Sequence, residues 1–281
     1  MGQLRAGRRL LGLVLLTLAS MAVQGMLLLL PGSGKVRFAR FYWSCFCRVL
    51  GMRVRVIGVR ALSDRPVLFV SNHSSWIDIP VLGGVLPACF VAKGEIARWP
   101  LIGTVARLGR TIFISRQRGS MTREIEAMRA VMSRGDNLIL FPEGTTSDGS
   151  RVMDFRASFF ALAAAADGEP PIVQPVSVVY DRLAGLPTGR ATRALFAWYG
   201  DMDIASHYWR VARYPGLRVS VLLHPPIDPR EHPNRKALSQ VVWTVIANGA
   251  ATLRQNRPAR PIPFRGAAVE AAIADPRSAS V

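Results

Sequence analysis

The stretch Val67-Leu68-Phe69-Val70-Ser71-Asn72-His73-Ser74-Ser75-Trp76-Ile77-Asp78 is the most informative in this chain. Its first four residues are all apolar, as in a strand buried on both faces. The run stops at a cluster of small polar residues, so the chain leaves the strand there and turns. Residues 76–85 then read as a short helix or turn, with Pro80 early in it. A histidine therefore stands on the junction, and a carboxylate comes five residues later inside the next turn. On one continuous helix those two positions diverge; on a loop followed by a helix they can meet. Histidine accepts a proton near neutral pH, and a carboxylate on one ring nitrogen would fix its tautomer and stabilise its charged form. The same pattern also fits helix capping, with Asn72, Ser74 or Ser75 as N-cap and Asp78 near the positive helix end. Spacing alone leaves both readings open. Ser74 and Ser75 suggest a serine hydrolase as well, but the Gly-x-Ser-x-Gly elbow is absent.

Outward from this junction the same grammar recurs. Residues 53–59 alternate charged and apolar positions, and residues 89–92, 111–114, 138–141, 172–180 and 217–223 are further apolar runs. Several end in polar turns: Lys93-Gly94-Glu95, Ser115-Arg116, and Pro142-Glu143-Gly144-Thr145-Thr146-Ser147. Residues 194–199 read as one more strand. Helical segments lie between: a short one ending at Arg107, residues 121–134 closed by Gly135, the Ala-rich 155–166, then 204–214 and 229–256. Alternating strands and helices predict an α/β fold, a mixed, largely parallel sheet covered by helices. One domain spans 53–256, and residues 257–281, rich in Pro, Ala and Arg, read as a flexible tail.

The first 52 residues differ. Arg5, Arg8 and Arg9 precede residues 10–34, which carry no charge. A helix needs about 20 apolar residues to cross a bilayer, and this run supplies them. Pro31-Gly32-Ser33-Gly34 is a turn. Residues 35–52 then mix Phe38, Phe41, Tyr42, Trp43 and Phe46 with Lys35, Arg37, Arg40 and Arg48, a pattern suited to the membrane interface. The expectation is an N-terminal membrane helix pair, in which the first helix spans or the two form a hairpin within one leaflet. The basic start sets the cytoplasmic side, which for a bacterial protein is the inner face of the cytoplasmic membrane.

The formal charge of +18 suits nucleic acid, anionic membranes or acidic substrates. The basic residues lack aromatic interleaving, and no zinc-finger, RNA-recognition or helix-turn-helix signature is present, so no nucleic-acid partner is expected. Cys45, Cys47 and Cys89 match no metal or redox spacing and read as buried small residues.

With these residues laid out, Asn72-His73-x4-Asp78 resembles the His-x4-Asp signature of the glycerolipid acyltransferases. Residues 109–116, ending in Ser115-Arg116, resemble that family's second block. Phe141-Pro142-Glu143-Gly144-Thr145-Thr146-Ser147 resembles the third, and Ile172-Val173-Gln174-Pro175-Val176 the proline-containing fourth. Lys93-Gly94-Glu95 with Trp99-Pro100-Leu101-Ile102-Gly103 is similar to the connecting segment. The likeness covers residues 53–180 and points to the bacterial 1-acyl-glycerol-3-phosphate acyltransferases.

That resemblance implies an O-acyltransferase moving a fatty acyl group from acyl-carrier protein or coenzyme A to the hydroxyl of a lysophospholipid, giving phosphatidic acid. His73 would deprotonate the hydroxyl with Asp78 supporting it, and no cofactor and no metal are expected. Arg116 would hold the acceptor's phosphate; Glu143, Gly144 and Thr145 would form the third-block acceptor site, with Lys93 and Arg151 as further anionic contacts. Many members carry arginine where this chain has Thr146. That departure brings in another acceptor, lyso-ornithine lipid, whose head group is an amino acid. Residues 148–152 and 198–202 are similar to that branch too. A lipid-binding scaffold with an inactive fold is the non-enzymatic alternative.

Overall fold

The computed structural model describes residues 1–99, 101–114, 121–163 and 169–261. Two helices come first, α1 (Gly2–Leu29) and α2 (Gly34–Val49). The sheet domain then runs as β1 (Met52–Ile57), β2 (Val67–Ser71), α3 (Asp78–Val85), β3 (Ala88–Lys93), α4 (Ile102–Leu108), β4 (Ile112–Ile114), α5 (Met121–Met132) and β5 (Asn137–Leu140). It is completed by β6 (Ile172–Leu183), β7 (Leu186–Pro187), α6 (Arg190–Arg193), α7 (Ile204–Ala212), β8 (Leu217–Leu223) and α8 (Arg235–Arg254).

The strands make one sheet in the order β1-β8-β6-β2-β5-β3-β4, with β7 on the side of β6. Pairing is parallel except for β6–β8 and the β6–β7 hairpin. The mixed, largely parallel sheet expected from the sequence is therefore present. All five residues of β2 are buried, and they alternate between two core layers. Val67 and Phe69 join one layer with Val176, Val178, Tyr180 and Val219 under α2, α3 and α7. Leu68 and Val70 join the other with Leu138, Leu140 and Val179 under α5 and α8. The strand is a continuous apolar run because each of its faces meets a helix layer.

Three expectations are corrected. Among the described residues of the expected helix 155–166, which end at 163, there is no α-helix: Ala157–Leu162 is a 3-10 helix. Phe159, Phe160 and Leu162 all face the core there, a bunching that a tighter helix serves better than a 3.6-residue turn. Residues 194–199 are not a strand. Their backbone closes the α6 turn and reaches Ser74 instead, and β7 already occupies the hairpin beside β6. The last helix begins later than residue 229. Pro229–Glu231 is a separate 3-10 turn, Pro233 disfavours helical backbone at His232, and α8 starts after Asn234, whose side chain accepts from the Lys236 and Ala237 N–H groups. Of the expected flexible tail 257–281, residues 257–261 are described and held, with Arg257 N donating to Thr252 O (3.2 Å) and Ala259 packed against the core; the remainder lies outside the described residues.

In the N-terminal pair, α1 alone is long and apolar enough to cross a membrane, by length and composition. α2 has 16 residues and carries Lys35, Arg37, Arg40 and Arg48. Ala6, Leu13, Thr17 and Gln24 form one buried stripe along α1. Tyr208 donates to Ala6 O (3.1 Å), Thr17 meets the Tyr42 hydroxyl (3.0 Å), and Gln24 donates to Leu108 O (2.9 Å). α1 is thus docked along its length on α7, α2 and α4, while Leu4, Leu11, Leu15, Leu18 and Met26 stay exposed. Ala6, Leu13, Cys47 and Leu50 share a core layer with the sheet, so packing continues across residue 52.

Candidate active site

β2 carries the chain to Ser71, and Asn72 fixes the start of the loop. Its side-chain amide donates to Val178 O (2.9 Å) and accepts from Val178 N (2.8 Å), pairing with the β6 backbone beyond the last ladder residue. Three more bonds to the loop backbone hold it. Ser147 N donates to His73 O (2.9 Å), Trp198 N to Ser74 O (2.9 Å), and His73 N to Glu143 Oε1 (2.8 Å). Segments 70 to 124 residues away in sequence therefore set the position of His73.

Asp78 is the first residue of α3 and is buried. Its Oδ2 accepts from His73 Nδ1 (2.8 Å), Ser74 N (2.8 Å) and Ser75 N (3.0 Å), and its Oδ1 from the Tyr180 hydroxyl. Asp78 lies in the first turn of α3, but the N-cap of that helix is Ile77 with no side-chain cap bond, so none of Asn72, Ser74 and Ser75 caps it; the Asp78 carboxylate instead binds His73 and the loop backbone. The His73 ring stacks on Phe141, centroids 4.0 Å apart and planes 14° apart. With Nδ1 donating to Asp78, the lone pair belongs to Nε2. The His73 side chain is 17 % exposed against 1 % for Asp78, so the imidazole is the reachable member of the pair. The arrangement can take a proton from a hydroxyl and hold the resulting imidazolium.

Glu143 is buried directly behind this pair, with Oε1 on His73 N and Oε2 on Met153 N (3.2 Å). Burial pushes its carboxyl up to about 8; the two backbone donors pull the other way, and the Asp78 charge adds to the rise. Its carboxyl thus holds the backbone of the His73 loop. Gly144 has φ +70°, and a Cβ there would stand 3.1 Å from Arg156 Nε, so the close approach at this glycine is made by Arg156. Thr145 is exposed at the turn. Arg151 is exposed beside Asp148, which two bonds from Ser150 hold below the usual carboxylate range. Arg254, on α8, faces Glu143 and Asp148 with its charge disfavoured by burial. Lys93 ends β3 and its side chain lies outside the described ones; Arg116 lies outside the described residues.

Tyr180 and Trp76 are not expected from the sequence. Tyr180 shares a face of β6 with Val176 and Val178, and its phenol is the polar end of that apolar row. A tyrosine in an otherwise apolar buried strand is the available signal, since such a hydroxyl needs a partner. Trp76 Nε1 donates to His207 Nδ1 (2.9 Å) on α7. Burial, with Arg210 nearby, takes His207 down to about 4, which keeps that nitrogen an acceptor.

Residues 53–179 match the family profile described as acyltransferase. The chain is 37 % identical over 235 residues to a lyso-ornithine lipid O-acyltransferase of Rhizobium meliloti, covering 82 % of this chain and 80 % of that one. This chain is a member of the acyltransferase family. It is also 33 % identical over 192 residues to a 1-acyl-sn-glycerol-3-phosphate acyltransferase of Neisseria gonorrhoeae, covering 66 % of this chain and 71 % of the other. The crystal structure of the 1-acyl-sn-glycerophosphate acyltransferase of Thermotoga maritima superposes with a TM-score of 0.59 at 22 % identity, over 90 % of this chain and all of that one, so the fold is shared. The protein described here is therefore an acyltransferase enzyme.

Proposed function

We propose that this acyltransferase moves a fatty acyl group from a thioester, acyl-carrier protein or coenzyme A, onto the free hydroxyl of lyso-ornithine lipid at a membrane surface. The observation that carries the reaction is the oriented His73–Asp78 pair, with Nδ1 committed to the carboxylate and Nε2 left to the substrate. Nε2 takes the proton as the acceptor oxygen attacks the thioester carbonyl. The tetrahedral intermediate then collapses, the carbon–sulfur bond breaks, and the proton passes to the departing thiolate. The ester product and the free thiol balance the step without an acyl-enzyme or a cofactor.

Two observations favour an amino-acid head group. Relatives from Rhizobium meliloti, Brucella abortus and Pseudomonas aeruginosa, 35–37 % identical, are named for lyso-ornithine lipid. Thr146 also supplies no charge where a phosphate-binding arginine is common in the glycerophosphate branch. The second reading, transfer to 1-acyl-glycerol-3-phosphate giving phosphatidic acid, is favoured by the Neisseria relative and by Arg116 in the second block. Membrane placement rests on α1, whose docked stripe leaves a long apolar face outward. A helix held along its length on the domain suits insertion into one leaflet better than a crossing. The domain would then sit on the cytoplasmic face of the inner membrane, drawn there by its basic surface. Purified enzyme offered both acceptors with one acyl thioester tests the reading. A higher kcat/KM for lyso-ornithine lipid is expected; a preference for lysophosphatidic acid would reassign the acceptor.

A further inference from the structure

Where α1 begins and α2 ends, the chain leaves an open cleft of about 580 Å³ lined by Arg5, Arg8, Arg9 and Arg48, with Leu4 and Val49 at its apolar edge. No aspartate or glutamate lines it among the described residues. Arg8 and Arg48 are exposed and make no ion pair or hydrogen bond among the described residues. Arg5 and Arg9 are held in place. Arg5 Nη1 donates to Arg213 O (2.6 Å), and Arg9 Nη1 to Ala212 O and Tyr214 O (2.8 Å each), the carbonyls that end α7. Gly51, at φ +78°, makes room for the Arg9 head: a Cβ there would fall 1.8 Å from Nη2. Two guanidinium groups are thus positioned by backbone and two are unpaired, all facing one space. Like charges gathered this way repel unless an anion joins them, and guanidinium forks match phosphate oxygens.

The setting favours a lipid phosphate. Leu4 opens the exposed row that continues through Leu11, Leu15 and Leu18 on α1, so an anion in the cleft has an apolar strip beside it for acyl chains. β1 is parallel to β8, β8 antiparallel to β6, and β6 parallel to β2. β1 therefore runs opposite to β2. Its N-terminal end, at the cleft, points the same way as the C-terminal end of β2 that delivers His73. Two strands separate them, roughly 14 Å across the sheet at the usual strand spacing.

We infer that this cleft is a binding site for the phosphate head group of an anionic phospholipid, separate from the acceptor site, which fixes the enzyme on the bilayer with His73 facing it. The inference rests on the membrane placement proposed above and not on the identity of the acceptor.

The full chain in neutral detergent would be mixed with phosphatidylcholine vesicles carrying phosphatidylglycerol, or carrying oleate at equal negative charge. Arg8→Gln/Arg48→Gln would be compared with Arg53→Gln/Arg55→Gln, which removes the same charge from exposed positions of β1. The site predicts that the cleft variant loses about tenfold more affinity for phosphatidylglycerol vesicles than the β1 variant, while both lose equally on oleate. Equal losses on phosphatidylglycerol would mean diffuse surface charge and would overturn the site. Inorganic phosphate raising the melting temperature of wild type but not of the cleft variant, without the phosphatidylglycerol difference, would assign the cleft to a soluble phosphate and overturn the lipid. Loss of acyl-carrier-protein binding with vesicle binding intact would overturn it equally. Acyl transfer in neutral detergent should be unchanged in the cleft variant, so failure of the acceptor assignment and failure of this site read out separately.

Discussion

Tyr180 donates its hydroxyl to Asp78 Oδ1, the carboxylate oxygen that His73 leaves unused. The phenol is buried and stacks on Phe196, centroids 4.9 Å apart and planes 6° apart, so it has no freedom to turn away. Asp78 is held from both sides, by the loop N–H groups on Oδ2 and by β6 on Oδ1. Tyr180→Phe keeps the stack and removes the donor, leaving a buried carboxylate oxygen short of one bond, worth about 1–3 kcal/mol. We expect kcat to fall roughly ten- to a hundredfold with KM nearly unchanged. A carboxylate with fewer donors favours the imidazolium more, so the acidic limb of the kcat/KM profile, where the base has to lose its proton, should move to higher pH. An unmoved profile would leave Tyr180 a purely structural residue.

Glu143 should write its own pH dependence into stability. Its folded pKa, about 8, lies above the ordinary value of 4.5. Between those values the folded chain retains a proton that the unfolded chain has lost. Its contribution is therefore fully present at the acid end, falls as pH rises through that window, and is lost above it. Glu143→Gln keeps the shape and does not titrate. The wild-type melting temperature, taken relative to the variant, should decline across the window and level off at higher pH; a flat difference would rule this out.

His207 predicts the opposite slope. Burial depresses it from 6.5 to about 4, so its stabilisation is present above 6.5 and is lost as pH falls toward 4. Protonation at Nδ1 also ends the bond from Trp76. His207→Gln should remove that acid-side slope, measured again as a melting-temperature difference. His224 is buried and shifted in the same direction, so its own variant should retain the part that belongs to His207.

The outward face of α1 is the proposed membrane contact. Leu11, Leu15 and Leu18 are each more than half exposed. Changing all three to Ser removes apolar area worth on the order of several kcal/mol if it is buried in lipid, and leaves the docked stripe of Ala6, Leu13 and Thr17 intact. Vesicle flotation should show most of the protein released. Retention equal to wild type would move the contact elsewhere.

Much of this site is legible along the chain. The strand-to-turn junction at Ser71, the start of α3 at Asp78 and the Glu143 turn all arise from local pattern. The contacts that join them are not local. Tyr180 meets Asp78 across 102 positions because β6 lies beside β2 in parallel register, and a residue-by-residue reading holds no register. The Trp198 bond to Ser74 falls in a segment that reads as a strand, since its apolar residues pack inward from a turn. Residues 155–166 read as a helix on composition, yet Arg156 N on Pro142 O and the core contacts of Phe159 and Phe160 fix the backbone around 156–160. Glu143 looks like a ligand-binding acid in a polar turn; burial, which sequence does not display, commits both its oxygens to the His73 loop and to Met153.

The mechanism stands or falls on His73 as the base. Its decisive test is the initial rate of acyl transfer from an acyl thioester to a lyso-lipid hydroxyl, for wild type and His73→Ala, with vesicle binding checked in the same preparations. His73→Ala should retain membrane binding and lose activity by at least about a hundredfold, the lower end expected for removing a general base. Turnover by His73→Ala equal to wild type would refute the assignment.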